Sequence, residues 1–397
     1  MRTLLSILLV SAGLNLTASE AIIKAADHPN LQSALDAVPA KGGVVYLPPG
    51  DFEITEPLIL VSEDTRIEGS GSSSHIINKN TDGQPALIVH NKDYPKNSRA
   101  RNWRVHLSNF RISGTEKSGD GILAQGIQEI FIHGMSIDHN GGHGIHLEFC
   151  YEDPRVSDSI LTYNKKSGLL ITGGHDIVVN GNHFEENLDA VTCLNSFNLC
   201  MNGNNLDDHI RHGVVIENTY GSVLSGNMIE ECNDTAIILD RDCYGITISA
   251  NVIAHHLGGG VKLLDAWGST VSANTFVLVH KSSVYVSPES GRITITGNNF
   301  SNSYIGGKIK RVIESKNPMQ RDEGTGVHLD NTRSVSITGN SFSGLSTPAV
   351  WSSGDTSQVI IANNMVEDIG RGSKGKMKAF KLDEATKVIE KDNLVTD

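Results

Sequence analysis

The chain has 397 residues, of which 20% are charged, 5% are aromatic and 40 are glycine, and its net charge is −12. That length allows either two ordinary domains or one elongated repeat domain, and the glycine-rich, aromatic-poor composition points to many turns and few helices. The acidic balance excludes duplex nucleic acid as a natural partner and weakly disfavours strongly anionic polymers unless a local cation offsets it, while leaving neutral sugars open.

Residues 1–21 read as a signal peptide: Arg2 supplies the positive start, Leu4 to Leu14 the apolar run, and Ala18, Ser19 and Ala21 the small residues of a cleavage site. The expectation is a secreted or periplasmic protein without a membrane span, since no later run is long and apolar enough. Five cysteines in 397 residues, odd in number and without metal-ligand spacing, do not make a disulfide framework.

LQSALDAV at 31–38 predicts a short helix over the first end of a repeat domain, followed by strand-forming residues in GGVVYLPPGDFEI at 42–54. Further coils follow at 65–71, 105–114 and 120–137. A local pattern then recurs: GNHF, GNNL, GNMI, ANVI, ANTF, GNNF, GNSF and ANNM. Its asparagine falls at 182, 204, 227, 251, 274, 298, 340 and 363, in steps of 22, 23, 24, 23, 24, 42 and 23 residues. Such a period marks a solenoid, in which each coil buries its apolar side only against the next. The asparagines sit at turns, where their side chains serve backbone groups of neighbouring coils.

Segments such as GIHLE 144–148, GVVIE 213–217, AIILD 236–240 and GVKLL 260–264 alternate with period two. They place Ile145, Val214, Ile237 and Val261 in one inward row and Leu147, Ile216, Leu239 and Leu263 in the next. Three short strands per coil of about 23 residues, with glycine and asparagine corners, predict an all-β fold, a right-handed parallel β-helix solenoid with a short N-terminal capping helix. The boundaries are 22–370 for the helix domain, 301–324 for a loop insertion that explains the long step, and 371–397 for a C-terminal cap or tail.

The outward positions of the same strands carry ionisable groups where a bare scaffold would favour Thr, Ser and Asn. Neighbouring coils lie about 4.8 Å apart, so residues 23 apart in sequence are neighbours in space. Glu217 and Asp240 therefore fall on adjacent coils. A carboxylate pair at roughly that spacing suits acid/base glycoside hydrolysis, and a like-charged neighbour can raise one of the two pKa values. Asp189 and His212 pair one column earlier. With Glu231 these are the catalytic candidates. His143, His146, Glu148, Arg211, Arg241, Lys262, Tyr285, His328 and Trp351 are the substrate-binding candidates. His146, His212 or Lys262 would instead serve as the base of an elimination. Asp240 pairing with Lys262 or Arg241, and Asp207 or Asp208 capping a turn, are the plain structural alternatives. Outward Leu170, Val215 and Ile238 suggest an exposed apolar column that meets a partner. No dedicated metal set is visible, and no cofactor is expected, with calcium as the one candidate.

The coil pattern over residues 29–370 resembles the pectate-lyase-like superfamily of right-handed parallel β-helices, which implies cleavage, epimerisation or binding of polysaccharides. Polygalacturonase-like enzymes carry N-x-D, D-D, G-H-G and R-x-K in that order; here Gly142-His143-Gly144 precedes Asp207-Asp208 and no R-x-K follows. IENTYGSVLSGNMIEEC 216–232 and KSSVYV 281–286 are similar to coils of the inulin fructotransferases, a trimeric family whose chemistry rests on an Asp and a Glu. Glu231 matches that Glu, whereas Tyr220 stands at the Asp position, which puts the transfer of that activity in doubt. The reading is a secreted carbohydrate-active enzyme using Asp/Glu hydrolysis, with polysaccharide lyase, fructotransferase-like enzyme and noncatalytic glycan-binding protein as alternatives, and with a polysaccharide or oligosaccharide, and a homotrimer, as partners.

Overall fold

The computed structural model describes residues 21–302, 323–371, 373, 376–382 and 385–396. The leader expected at 1–21 and the insertion expected at 301–324 fall almost wholly outside them. Three parallel sheets run the length of the molecule. A 13-stranded front sheet extends from Leu58–Leu60 to Phe380–Leu382. A 17-stranded middle sheet runs from Ile22–Lys24 to Thr386–Lys391, and a 14-stranded back sheet from Gly50–Ile54 to Leu394–Val395. Each coil visits front, middle and back in turn.

The register follows the inward rows. Ile145 pairs with Leu169, Leu169 with Val191, Val191 with Val214, Val214 with Ile237 and Ile237 with Val261. All six are fully buried. A strand buried on one face cannot slip by one residue without exposing its whole apolar set, so this pattern fixes the pairing. In the back sheet, Phe276, Phe300 and Phe342 stack at 4.8 and 4.7 Å with nearly parallel rings.

The middle-to-back turn holds the asparagine ladder. Asn251 Oδ1 accepts from the backbone N–H and the side-chain amide of Asn227 at 3.0 and 2.9 Å. Its own amide donates to Leu224 O and to Asn274 Oδ1, both at 3.0 Å. The same pattern links Asn182 through Asn340. The final copy corrects the sequence reading: Asn364, not Asn363, accepts from Asn340 and passes the ladder to Asn393. Asn363 takes the preceding slot with φ of 56°, where earlier copies have Gly or Ala. Two adjacent asparagines leave the register ambiguous in sequence, and the strand pairing resolves it.

A second ladder of Asn140, Asn164 and Asn187 lines the back-to-front turn, with amide contacts of 2.9 Å. It breaks where His209, Cys232 and His256 take over the buried slots, so it shows no sequence period.

Helix α1 (Leu31–Asp36) is two residues shorter than the expected 31–38. Pro39 restricts Val38 to extended backbone and ends it. Asn30 and Ser33 form a capping box, and Leu31, Ala34 and Leu35 are buried. The Gln32 side chain exchanges hydrogen bonds of 2.9 and 2.8 Å with the backbone of Ile59 on the first front strand, so part of that open strand edge is satisfied. At the other end, residues 376–396 contribute strands that pair with the preceding coil. Glu390 there stands in register with buried Ile361. A charge in a core row blunts the edge against further stacking.

The ladder carries a stability prediction. Asn251→Ala strands the Asn227 donors in the interior, so chemical unfolding should show a loss of about 3 kcal/mol, the scale of two unsatisfied buried groups. A loss below about 0.5 kcal/mol would mean that the ladder is incidental to stability.

Candidate functional site

The outward row of the front sheet runs Leu123, His146, Leu170, Thr192, Val215, Ile238, Lys262, Tyr285, His328 and Trp351 in direct register. Glu217 and Asp240 do stand opposite each other on adjacent coils. Their partners differ from the expected hydrolytic pair. Arg241 forms an ion pair with Glu217, and Asp240 Oδ1 accepts the Arg241 backbone N–H at 2.8 Å. Lys262 turns away from Asp240 to Asp234 at 3.4 Å. Of the outward apolar column, Val215 and Ile238 are each only 8% exposed and Leu170 is half-buried.

The corner just before the front strands is polar and buried. Asp189 is 1% exposed; Arg211 Nε donates to it at 2.9 Å and the His212 backbone N–H at 3.1 Å. His212 Nδ1 accepts from Thr235 N at 3.3 Å, and burial holds its pKa below the ordinary value. Three coils earlier, Asp120 accepts the His143 N–H at 2.7 Å and lies 3.5 Å from His146 Nδ1. Burial pushes His143 down to about 4. Glu148 accepts from Gln125 at 2.6 Å. At the far end the Tyr285 hydroxyl donates to Asp330 at 2.8 Å, and burial and that bond push its pKa up to about 12. His328 lies between Tyr285 and Trp351 with ring centroids 5.3 and 5.0 Å away. The corner thus holds fixed ion pairs and neutral histidines.

A different column concentrates acid/base groups. In six successive back-to-front turns one residue adopts left-handed backbone, with φ between 48° and 60°: His139, Tyr163, Glu186 and Asp208, which are exposed, Glu231, which is half-buried, and His255, which is buried. Positive φ recurs at turns throughout the solenoid, so it belongs to the repeat rather than to function. What distinguishes this column is its content. Glu185–Glu186, Asp207–Asp208 and Glu230–Glu231 are acidic pairs on three successive coils. The Glu231 carboxyl lies next to Asp208 on the preceding coil and 3.3 Å from His255 Nδ1. Burial and the Asp208 charge raise its pKa. Asp207 is raised by burial and by Asp208 and Glu185. Glu231 is the one catalytic candidate in this column. Asp208 and Glu231 are 23 residues apart, one coil period, the same count that places Glu217 opposite Asp240.

Glu230, Glu231 and His255 each place a donor atom within 4.8 Å of the others. Two carboxylates and one imidazole suit a hard or borderline divalent ion. The adjacent Cys232 is fully buried in the core and is not one of the three donors, so this group lacks the soft donors favoured by Cu(I).

The raised Glu231 pKa has a linked stability effect. The folded protein binds this proton more tightly than the unfolded chain, so the contribution is full below the ordinary Glu pKa and declines as pH rises through the folded value. Glu231→Gln should therefore melt above wild type at pH 7, with the two curves converging near pH ~4. A variant that melts progressively below wild type as pH rises would contradict the raised value.

No curated protein matches the chain. A family model described as "Periplasmic copper-binding protein (NosD)" matches residues 156–313. Among solved structures, DFA-IIIase from Arthrobacter chlorophenolicus A6 is 16% identical with a TM-score of 0.57, over 88% of this chain and 95% of that one. The A-module of the Azotobacter vinelandii mannuronan C-5 epimerase AlgE6 is 16% identical with a TM-score of 0.51, over 94% and 99%. A double mutant of the periplasmic alginate epimerase AlgG is 14% identical with a TM-score of 0.52, over 95% and 84%. At these identities the likeness is one of fold. The model of the right-handed β-helix region matches residues 59–198 and 260–396; with the three parallel sheets and their stacked coils, this makes the chain a member of the right-handed β-helix family.

Proposed function

We propose that the protein is a carbohydrate-active enzyme that cleaves glycosidic bonds at the Asp208–Glu231 pair. The observation that carries this reading is the position of Glu231, between a carboxylate on one neighbouring coil and an imidazole on the other. A general acid must still hold its proton near working pH. Burial and the Asp208 charge shift Glu231 in that direction, whereas Glu217 and Asp189 are each tied to a guanidinium group.

In the proposed reaction Glu231 gives its proton to the leaving oxygen as the C–O bond to the anomeric carbon breaks. Asp208 attacks that carbon. Water then displaces Asp208, with Glu231 taking the water proton back as base. In retaining enzymes the two carboxyl groups stand roughly 5 Å apart, and the bound sugar sets Asp208 and Glu231 at that separation. His255 holds the Glu231 carboxyl in place. A location outside the cytoplasm accords with the names of the matched NosD model and of AlgG, both called periplasmic.

The neutral His212 and His143 favour a second reading, proton abstraction at the front-sheet corner with an unsaturated product. The two are separated by screening the purified chain against neutral and acidic polysaccharides while following reducing ends and 235 nm absorbance together. The proposal expects reducing ends without absorbance, loss of turnover by about 10²-fold or more in Glu231→Gln, retention of anomeric configuration, and unchanged rates after treatment with a chelator. Absorbance that depends on His212, loss in Glu217→Gln with Glu231→Gln unaffected, or loss on chelation would each overturn it.

A further inference from the structure

The acidic column does not stand alone on its edge. On the coils just before Asp208 the same back-to-front turns enclose a cavity of ≈ 670 Å³, within the range that binds small organic ligands. His139 and Tyr163, the first two members of the left-handed column, stack here with centroids 5.0 Å apart and planes at 23°. Tyr163 remains 40% exposed and Ile210 is 54% exposed, an apolar side chain presented to the cavity rather than to the core. Leu188 completes the apolar lining, and Glu186 supplies a carboxylate. Lys165, the cation of the lining, is held by Glu116 at 2.8 Å.

The cavity lies along the same column of left-handed turn residues as the proposed catalytic pair. Its column reads His139, Tyr163, Glu186, and the next two members are Asp208 and Glu231. Coil steps are about 4.8 Å, so a linear ligand lying along the solenoid axis over Tyr163 and Glu186 reaches Asp208 within two steps. An amphipathic sugar fits such a lining: its C–H faces lie against Tyr163, Ile210 and Leu188, and its hydroxyl groups donate to Glu186.

The charge of this edge selects among sugars. Three acidic pairs follow one another on consecutive coils, and the local lysine is already neutralised by Glu116. An oligouronate laid along the same line would bring a row of carboxylates against a row of carboxylates. We infer that this cavity is the principal binding subsite for an uncharged glycan chain whose scissile bond lies over Asp208 and Glu231. The inference rests on the catalytic reading for where the bond lies, but the binding itself is independent of it.

The test is calorimetric titration of the full chain with length series of neutral oligosaccharides (inulo-, cello- and malto-oligosaccharides) and of oligogalacturonates and oligomannuronates. One neutral series should bind, with affinity rising over the first few units. Tyr163→Ala should weaken it at least tenfold. So should Ile210→Lys, which fills the cavity from an exposed position and leaves the core untouched. Wild-type affinity in both cavity variants would overturn the subsite while leaving the catalytic reading to stand or fall on Glu231→Gln turnover. Tighter binding of the oligouronates, or no binding in any series, would overturn the inference outright.

Discussion

Everything in this molecule depends on one constraint: each coil lies in parallel register on the next at the spacing of a hydrogen-bonded strand. A residue's closest neighbours across the strands are then its counterparts one period away. That rule builds the core, because branched side chains meet like side chains in continuous rows. It builds the asparagine ladder, because an amide can serve both its own turn and the next only if the step never changes. It also builds the chemistry of the surface, because any two ionisable groups in one column must face each other at close range. Whether such a column stabilises or stores repulsion is decided by what alternates in it.

The two candidate faces show both outcomes. At the front sheet and its corner, acid meets base at nearly every step: Arg241 on Glu217, Arg211 on Asp189, Lys262 on Asp234. The carboxyl groups are quiet there because their charge is matched. Along the back-to-front edge, acid meets acid from Glu185 to Glu231, and burial and the Asp208 charge raise the Glu231 pKa there. A scaffold selected for stability alone would interleave lysines in such a column, as the front face does. The cavity over Tyr163 and Ile210 lies on the same turns, so the unmatched charge and the exposed apolar surface share one edge.

Most of the fold is legible in the sequence because its signals are periodic. The inward rows from Ile145 to Val350 follow from two-residue alternation, and the ladder from Asn182 to Asn340 follows from a near-constant step. The register slips at Asn363 and Asn364, where two identical residues satisfy the pattern equally well. The second ladder is invisible because three of its slots hold His209, Cys232 and His256 instead of asparagine. The candidate site is less legible for a related reason. Strand positions can be aligned by counting, so Glu217 and Asp240 are found facing each other as expected. Their ion-pair partner, Arg241, comes from a turn, and the direction its side chain takes does not follow from counting; Asp208 and Glu231, 23 residues apart, do follow from the count but lie in a turn column rather than a strand. Glu231 enters the sequence reading only through a resemblance to fructotransferase coils.

The central claim is that burial and the Asp208 carboxylate one coil step away raise the Glu231 pKa above its ordinary value, and the most direct measurement is an NMR titration of the Glu231 carboxyl carbon in wild type and in Asp208→Asn. The account predicts that Glu231 titrates above the ordinary Glu range in wild type and moves down toward it when the Asp208 charge is removed. A Glu231 that titrates at or below the ordinary value in wild type, or that does not respond to Asp208→Asn, would contradict it.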